Sequence, residues 1–451
     1  MRALSPGFVF IGLSIGCLHF DCHPSDITCN PPALALYLLT SGNTSATDLR
    51  QVVSGASHTC ALLSTGAVRC WGLGANGRLG YNNSNNIGDG IGLSILSAGD
   101  VPLGDTAVHL SAGNGHTCAV LSTGAIRCWG VGSSGQLGHN STASIGDTPG
   151  TSISNAGDIP LGGTATQVAA GFLHTCALMV GGTVRCWGSG GNGVLGYNNS
   201  NAIGDGVGLS ISAAGDVPIG GTATQVTGGN TVSCALLTTG AVRCWGFGGG
   251  GVLGYNNTLT IGAGGTTIIA AGDVPLGGTA TRIFTSGSHT CAVLTTGGVR
   301  CWGNGASGRL GYNATANVAD GVGLTISGAG DIATGGTATD VITGNQHTCS
   351  LLSSGAVRCW GVGADGRLGY NATTNVGDGV GLSILASGDV SLGGTAMRIT
   401  AGDLQTCAML TTGAIRCWGN GSSGRLGYNN TNSVADGVGL SITAAGDVPY
   451  L

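Results

Sequence analysis

One pattern occurs seven times in this sequence, at a spacing of 58 residues with one copy at 57. It reads H-T-C-A-L-L-S-T-G-A-V-R-C-W-G over residues 58–72. Each copy holds two cysteines, and the pairs are Cys60 with Cys70, Cys118 with Cys128, Cys176 with Cys186, Cys234 with Cys244, Cys291 with Cys301, Cys349 with Cys359 and Cys407 with Cys417. Counting back from the pairs gives the units 48–105, 106–163, 164–221, 222–278, 279–336, 337–394 and 395–451. Strand-like repeats of this length are typical of propeller blades, so we predict an all-β, seven-bladed β-propeller.

The composition agrees with short strands rather than helices. Glycine accounts for 90 of the 451 residues and charged residues for 8%, and every charged residue is Arg or Asp. Because long exposed helices draw on Lys and Glu, helices should be scarce. The net charge is −5 and the sequence has no basic run, whereas proteins that track phosphates carry a basic footprint. We therefore expect no nucleic-acid partner.

Within one unit, the pattern predicts four short strands. In the unit 164–221 these are 164–171, 174–179, 183–188 and an edge strand at 216–219. Pro218 indicates that the last strand lies at the sheet edge, because proline has no N–H to donate to a neighbouring strand. Four strands per unit match a propeller blade.

The two cysteines of each unit should face one another across a hairpin. A three-residue loop at 64–66, with Gly66 in the left-handed position, sets Cys60 directly opposite Cys70. Opposed strand residues lie within the Cα separation that a disulfide accepts. A zinc site is the competing interpretation, and the absence of C-x-x-C spacing argues against it. We predict one hairpin disulfide per blade.

The N-terminal residues indicate export. Residues 1–21 combine one Arg, an apolar run and small residues, the layout of a secretory signal peptide, and the run is too short for a membrane span. A truncated or mis-started N-terminus is the alternative. Cys17 faintly resembles a bacterial lipid-anchor site, and Cys22 can pair with Cys29 in the extension 22–47. A cytosolic chain with reduced cysteines competes with the secreted or cell-surface location that we expect.

Each unit also repeats an Arg and a Trp around its second cysteine. We expect the Trp to pack between blades, and the Arg to reach an Asp or carbonyls of a neighbouring blade, because partly buried charges need partners. A functional ring of arginines is the alternative. The Trp residues are Trp71, Trp129, Trp187, Trp245, Trp302, Trp360 and Trp418, and the Arg residues are Arg69, Arg127, Arg185, Arg243, Arg300, Arg358 and Arg416.

These residues resemble the regulator of chromosome condensation repeat family. The segment 115–138, G-H-T-C-A-V-L-S-T-G-A-I-R-C-W-G-V-G-S-S-G-Q-L-G, matches that repeat almost position for position, and the resemblance covers 48–451. It implies a seven-bladed propeller, here of a Cys-rich exported type with a longer loop after L-G-Y-N. Relatives include a guanine-nucleotide exchange factor, a plant ultraviolet-B photoreceptor that uses G-W-R-H-T motifs, where this chain has G-F-L-H-T at 171–175, and an exported β-lactamase inhibitor.

No residue set stands apart from the repeat as a catalytic or cofactor site. One repeat position is a histidine in five units, Val232 in the fourth unit and Gln405 in the seventh. We therefore expect structural hydrogen bonds from these histidines, which are His58, His116, His174, His289 and His347. Two aspartates recur in the units, as at Asp205 and Asp216, but they are spaced more widely than the clustered carboxylates of calcium-binding loops. We expect aspartates of the second type to accept hydrogen bonds from backbone N–H groups in a turn. We predict no metal and no cofactor, and the sequence leaves calcium binding open.

Two surface features are candidates for function. Tyr and Arg favour interfaces, so the R-L-G-Y-N loops are a candidate partner-binding rim, formed by Arg78, Tyr81, Arg309, Tyr312, Arg367, Tyr370, Arg425 and Tyr428. Sequons are glycan acceptors where the host glycosylates. One lies at Asn43, and seven share one loop position: Asn82, Asn140, Asn198, Asn256, Asn313, Asn371 and Asn429.

The sequence as a whole favours a non-catalytic extracellular or cell-surface scaffold that binds a protein as a monomer. The leading alternative is a propeller that inhibits a secreted enzyme, as the β-lactamase inhibitor does. A guanine-nucleotide exchange factor follows by family analogy, and a glycan-processing enzyme comes last, because it would need a non-repeated carboxylate or His pair in the channel.

Overall fold

The computed structural model describes residues 49–451. The signal peptide 1–21, the extension 22–47, Cys17, the pair of Cys22 with Cys29 and Asn43 lie outside the described residues and stay predictions. The described residues contain seven sheets of three antiparallel strands each. Each sheet is one blade and takes all three strands from one repeat, so blades 1 to 7 follow the chain order.

The strands are short and almost identical from blade to blade. The first strands β1, β4, β7, β10, β13, β16 and β19 are Leu49–Ser54, Ala107–Ala112, Ala165–Ala170, Ala223–Gly228, Ala280–Thr285, Ala338–Thr343 and Ala396–Ala401. The second strands β2, β5, β8, β11, β14, β17 and β20 are His58–Leu63, His116–Leu121, His174–Met179, Val232–Leu237, His289–Leu294, His347–Leu352 and Gln405–Leu410. The third strands β3, β6, β9, β12, β15, β18 and β21 are Val68–Gly72, Ile126–Gly130, Val184–Gly188, Val242–Gly246, Val299–Gly303, Val357–Gly361 and Ile415–Gly419.

The blades form a closed ring around a central cavity. The first strands line this cavity, and first strands of neighbouring blades contact one another, including β19 of blade 7 and β1 of blade 1. In every sheet the order is first, second, third strand, so the third strand is outermost. The predicted seven-bladed propeller is confirmed.

The predicted fourth strand is wrong. Residues 216–219 form no strand, and their one backbone hydrogen bond to the third strand runs from Val217 N to Val184 O at 2.7 Å. Pro218 cannot donate, and Ile219 N turns back to bond Val217 O at 2.8 Å. The segment therefore covers one end of the blade edge without extending the sheet.

Helices are as scarce as the composition predicts. Each blade has one four-residue α-helix outside its third strand, beginning after a Ser or Thr cap. Ser210 is such a cap, because its Oγ accepts from Ala213 N. The seven helices are Ile95–Ala98, Ile153–Ala156, Ile211–Ala214, Ile268–Ala271, Ile326–Ala329, Ile384–Ser387 and Ile442–Ala445. Short 3-10 turns, such as Gly191–Gly193, account for the remaining helical residues.

The disulfide prediction is confirmed in every blade. Cys60 pairs with Cys70 in the strand register, and their Cα atoms are 4.1 Å apart. The other six bridges repeat this geometry at Cα separations of 4.0–4.1 Å, and they join Cys118 to Cys128, Cys176 to Cys186, Cys234 to Cys244, Cys291 to Cys301, Cys349 to Cys359 and Cys407 to Cys417. The bridged residues are fully buried, so each blade core is closed by its own covalent link. Closing a loop of this size contributes about 2–3 kcal/mol in the chain-entropy model.

Candidate interaction surface

The repeated Trp residues join neighbouring blades, as predicted. In blade 3, Trp187 donates from Nε1 to the carbonyl oxygen of Gln136 in blade 2 at 2.9 Å, and Thr175 donates to the same oxygen at 2.8 Å. The indoles of blades 1, 4, 6 and 7 make the equivalent bond. All seven indoles are fully buried, so they serve the ring and are closed to a partner.

The repeated histidines are buried and neutral. His174 Nε2 lies 2.9 Å from Ser233 Oγ in the next blade, and that hydroxyl donates to Val194 O at 3.0 Å. Because the hydroxyl proton points at the carbonyl, Nε2 of His174 is the donor. Burial lowers the pKa of His174 to about 4. It lowers the pKa to about 3 at His58, His116, His289 and His347. The expected structural hydrogen bonds are confirmed.

The repeated arginines form ion pairs that also tie blades together. Arg185 donates from Nε to Asp216 Oδ1 at 2.6 Å within its blade, and from Nη1 to Leu161 O in the preceding blade. The same Arg–Asp pair occurs in every blade. The prediction that Asp216 accepts backbone donors is wrong, because its carboxylate pairs with the guanidinium. Asp205 has that role instead and accepts from Val207 N and Gly208 N at 3.0 and 2.9 Å.

The predicted rim tyrosines stabilise the blade edge. Tyr197 accepts from Cys186 N at 3.2 Å and donates to Gly215 O at 2.9 Å. Its hydroxyl therefore occupies the third-strand edge that a fourth strand would pair. Burial raises the pKa of Tyr197 to about 12. The same arrangement holds at Tyr81, Tyr255, Tyr312, Tyr370 and Tyr428.

The rim arginines are also turned inward. Arg309, Arg367 and Arg425 are 8%, 3% and 6% exposed, and Arg78 is half-buried. Arg425 donates from Nη1 to Ala56 O at 3.3 Å in the next blade. The candidate partner-binding rim is therefore corrected: Arg78 and Arg425 bond carbonyls of the next blade, and Arg309, Arg367 and the tyrosines bond groups within their own blades. The residues concerned are Arg78, Tyr81, Arg309, Tyr312, Arg367, Tyr370, Arg425 and Tyr428.

The seven sequon asparagines lie in turns outside the third strands. All have positive φ, between 51° and 58°, a conformation that asparagine tolerates better than most residues. Asn82 is half-buried, and six are exposed: Asn140, Asn198, Asn256, Asn313, Asn371 and Asn429.

One end of the cavity is framed by the loops between first and second strands, which we call the loop face: residues 55–57, 113–115, 171–173, 229–231, 286–288, 344–346 and 402–404. These loops bond to one another around the opening. Asn114 N donates to Gly171 O at 3.2 Å, and Phe172 N donates to Gly229 O at 3.1 Å. A surface built this way needs little ordering when it binds.

The central cavity has a volume of about 270 Å³ and breaks the sevenfold pattern. Phe172 of blade 3, Phe284 of blade 5, Asp340 of blade 6, and Arg398 and Asp403 of blade 7 are among its lining residues. Burial raises the pKa of Asp340 against the opposing charges of Arg282 and Arg398. It also raises the pKa of Asp403, against the charges of Arg425 and Arg367.

The third position of the first strand explains part of this asymmetry. In blades 1, 3 and 4 it is glutamine, which bonds the backbone of the next blade, as when Leu110 N donates to Gln51 Oε1 at 2.9 Å. Blades 5 to 7 have Arg282, Asp340 and Arg398 there. Blade 2 has His109, and burial lowers its pKa to about 4.

Two exposed aromatic residues lie at this end of the ring, Phe172 in the loop face and Phe247 directly after β12, beside it. Phe172 is 39% exposed and Phe247 is 45% exposed. They belong to adjacent blades, because Phe172 N bonds Gly229 O and Phe247 N bonds Thr231 O at 2.9 Å. Exposed aromatic side chains on rigid loops are typical anchors for a protein partner. Sequence reasoning missed this pair, although the non-repeated Phe at both positions was a usable signal.

Comparison with known proteins agrees with this architecture. A model of the regulator of chromosome condensation (RCC1) repeat matches residues 49–78, 107–136, 165–194 and 280–309, which fall in blades 1, 2, 3 and 5. These four segments are similar to the RCC1 repeat. The matched segments of the RCC1 repeat span the three strands of a blade and the turn that follows them.

Several curated proteins are similar over much of the chain. The ultraviolet-B receptor UVR8 of Arabidopsis thaliana is 25% identical over 84% of this chain and 79% of the receptor. The mitochondrial RCC1 domain-containing protein RUG3 of the same plant is 26% identical over 67% of each chain. Human E3 ubiquitin-protein ligase HERC2 is 28% identical over 58% of this chain, which corresponds to 5% of the ligase.

Solved structures support the same fold. Prp20p of Saccharomyces cerevisiae superposes with a TM-score of 0.57 and 18% identity, covering 79% of this chain and 80% of Prp20p. Human WBSCR16 gives a TM-score of 0.57 and 18% identity over 80% and 85% of the two chains. At this identity the likeness concerns the fold alone. Over residues 49–451, no helix is long and apolar enough to cross a membrane, and no cluster of three metal-binding side chains occurs.

Proposed function

We propose that this protein is a non-catalytic interaction scaffold, acting as a monomer outside the cell or at its surface, and that its partner docks on the loop face. The proposed location is supported by seven buried hairpin disulfides together with the signal-like residues 1–21. Disulfides form and persist in oxidising compartments and are rare in reducing ones, so a bridge in every blade favours export.

The observation that carries the docking proposal is the exposed pair Phe172 and Phe247. Most other large side chains that the repeat supplies near the loop face are buried: the indoles and histidines are fully buried, and Arg309, Arg367 and Arg425 are less than 10% exposed. The two phenylalanines lie on loops held by backbone hydrogen bonds and remain accessible. An apolar side chain of the partner can be buried against them.

The charged residues of the cavity determine how the proposed partner is oriented in the opening. Asp403 lies at the mouth in blade 7, across the ring from Phe172 in blade 3, and Asp340 and Arg398 lie deeper along the same wall. A partner segment that enters the mouth meets apolar surface on one side and hydrogen-bonding groups on the other. This combination favours a protruding loop or chain end over a flat surface.

Protein binding is within the range of this fold. The study of Prp20p concerns its binding properties to Gsp1p and histones. We carry over from that structure the use of a propeller surface for protein binding, and neither of those two partners.

The docking proposal is tested by capture from extracellular fluid with crosslinking. The double variant Phe172→Ser with Phe247→Ser should reduce capture of a specific partner by about 30-fold or more, as expected for hot-spot aromatics. Val180→Ser is the matched control, because Val180 is 64% exposed on the hairpin turn between β8 and β9. Capture that survives the double variant and is lost with Val180→Ser would place the partner elsewhere.

The location is tested independently with the full chain expressed in a secretory host. Residues 1–21 should direct the protein to the medium and be removed. Intact-mass measurement with and without reductant should then show at least the seven hairpin bridges. A protein that stays inside the cell with free thiols would overturn the extracellular assignment and leave the docking test untouched.

A further inference from the structure

Five blades present one apolar side chain almost entirely to solvent. In blade 7 the tip reads D-G-V-G-L over residues 436–440, and Val438 is 93% exposed. Asp436 Oδ1 accepts from Val438 N at 3.0 Å and from Gly439 N at 2.8 Å, so the tip is held in place. We call these residues the apolar tips: Ile91, Val207, Val322, Val380 and Val438, all at least 90% exposed.

The apolar tips contribute nothing to the packing of the ring. A valine with 93% exposure keeps nearly all of its apolar surface in water, and covering that surface is favourable. Blades 2 and 4 have a different loop without an apolar tip: blade 2 forms a 3-10 helix at Pro149–Thr151, and blade 4 has the shorter segment A-G-G-T-T at 263–267.

Each apolar tip lies beside a sequon of the preceding blade. A Cβ placed on Gly437 would lie 2.9 Å from the carbonyl oxygen of Asn371, so the backbone before Val438 touches the sequon turn. A Cβ on Gly90 would likewise lie 2.6 Å from the carbonyl oxygen of Asn429, and one on Gly379 would lie 2.7 Å from that of Asn313. Gly206 with Asn140 gives 2.6 Å and Gly321 with Asn256 gives 3.1 Å.

The two blades without an apolar tip allow the tips to be compared with the exposure of the neighbouring sequon asparagines. Asn198 is exposed, but the loop beside it in blade 4 offers Gly264 and Gly265 in place of a tip. Asn82 precedes blade 2, which has no tip, and it is the one sequon asparagine of the seven that is half-buried. All five apolar tips thus have an exposed sequon asparagine next to them.

We propose that N-linked glycans on Asn140, Asn256, Asn313, Asn371 and Asn429 cover the apolar tips of the following blades. In the modification, Nδ2 of the asparagine bonds to C1 of the first sugar of a lipid-linked oligosaccharide. The lipid pyrophosphate leaves, and one proton of the amide is released. Sugar rings carry C–H faces that pack on an aliphatic side chain, so the glycan removes the tip from water. The inference rests on the proposed extracellular location.

The test uses full-length protein secreted from a glycosylating host, with Asn371→Gln compared to Asn198→Gln. Each variant removes one glycan, but only the first uncovers a tip, Val438. Asn371→Gln should lengthen retention on a hydrophobic-interaction column, and Asn198→Gln should leave it near the fully glycosylated value. Adding Val438→Ser to Asn371→Gln should restore the shorter retention. Tryptophan fluorescence of all variants should stay that of the folded ring.

Equal retention shifts for the two single variants would overturn the covering role. Secreted, fully bridged protein with no glycan on Asn371 would overturn the modification itself and leave the proposed function intact. Failure of the chain to be secreted would instead count against the proposed location.

Discussion

The five buried histidines should make this propeller sensitive to mild acid. Each is neutral in the folded protein because its Nε2–H bonds a hydroxyl in the next blade and burial opposes a charge. Their folded pKa values of about 3 to 4 lie below the ordinary value of 6.5. The unfolded chain therefore binds more protons below pH 6.5, and stability that is fully present above that pH is lost as pH falls.

The magnitude follows from the two pKa values. At pH 5 an unfolded histidine is almost fully protonated and a folded one is not, so each loses about 2 kcal/mol relative to pH 8. The five together lose about 10 kcal/mol, which is comparable with the whole stability of a typical domain. Carboxylates such as Asp205, whose pKa the Gly208 and Val207 amides hold below its usual range, add little at pH 5.

The assay is guanidinium unfolding with intact disulfides, followed by the fluorescence of the buried tryptophans between pH 8 and pH 5. His174→Gln should remove about 2 kcal/mol of the pH dependence, because a neutral amide replaces one titrating ring. The rings of His109 and His139, whose pKa values burial also lowers, keep their own contributions. Blade 7 shows that the amide fits, since Gln405 donates from Nε2 to Gly55 O at 2.9 Å. A variant with all five histidines replaced that keeps the wild-type pH dependence would refute this reasoning.

Three further substitutions probe the blade. Trp187→Ala removes a fully buried indole and should cost about 3–5 kcal/mol, measured as a lower guanidinium midpoint. Replacing Cys176 and Cys186 together by Ala should cost about 2–3 kcal/mol in the same assay, and an unchanged midpoint would contradict a stabilising bridge. Tyr197→Phe leaves the Cys186 N–H unpaired and should cost about 1–3 kcal/mol, with faster hydrogen exchange at that amide. Blade 2, where His139 takes the place of the tyrosine, is the internal control: hydrogen exchange of its amides should not change in the Tyr197→Phe variant.

The hairpin was predictable because its evidence is local. The loop ending at Gly66 fixes a register, and the register alone places Cys60 opposite Cys70, as the structure has it. Seven copies of the same spacing then leave a ring of blades as the natural way to bury each apolar face.

The blade edge was not predictable from local pattern. A strand-like segment at 216–219 and a tyrosine at 197 compete for the same third-strand groups, and the side-chain hydroxyl wins at Cys186. The sequence shows that Tyr197 is repeated, but repetition is equally compatible with a surface contact. The distance between its hydroxyl and a backbone amide eleven residues earlier depends on how the intervening loop folds.

The candidate site was hidden for a different reason. Phe172 and Phe247 occupy positions that the repeat does not fix, so a search for shared features passes over them. Only the ring brings residues from blades 3, 5 and 7 around one opening and shows that Phe172, Phe284 and Asp403 face a common space.

Each sheet takes its strands from one repeat, and the junction of blades 7 and 1 uses the bond found at four other junctions, with Trp71 Nε1 donating to Arg425 O at 3.1 Å. No sheet of the described residues 49–451 is split between distant parts of the chain. A circularly permuted gene that starts at any blade should therefore encode the same ring. Unequal recombination can likewise delete or insert a whole blade without leaving half a sheet behind, so the number of blades is open to evolutionary change.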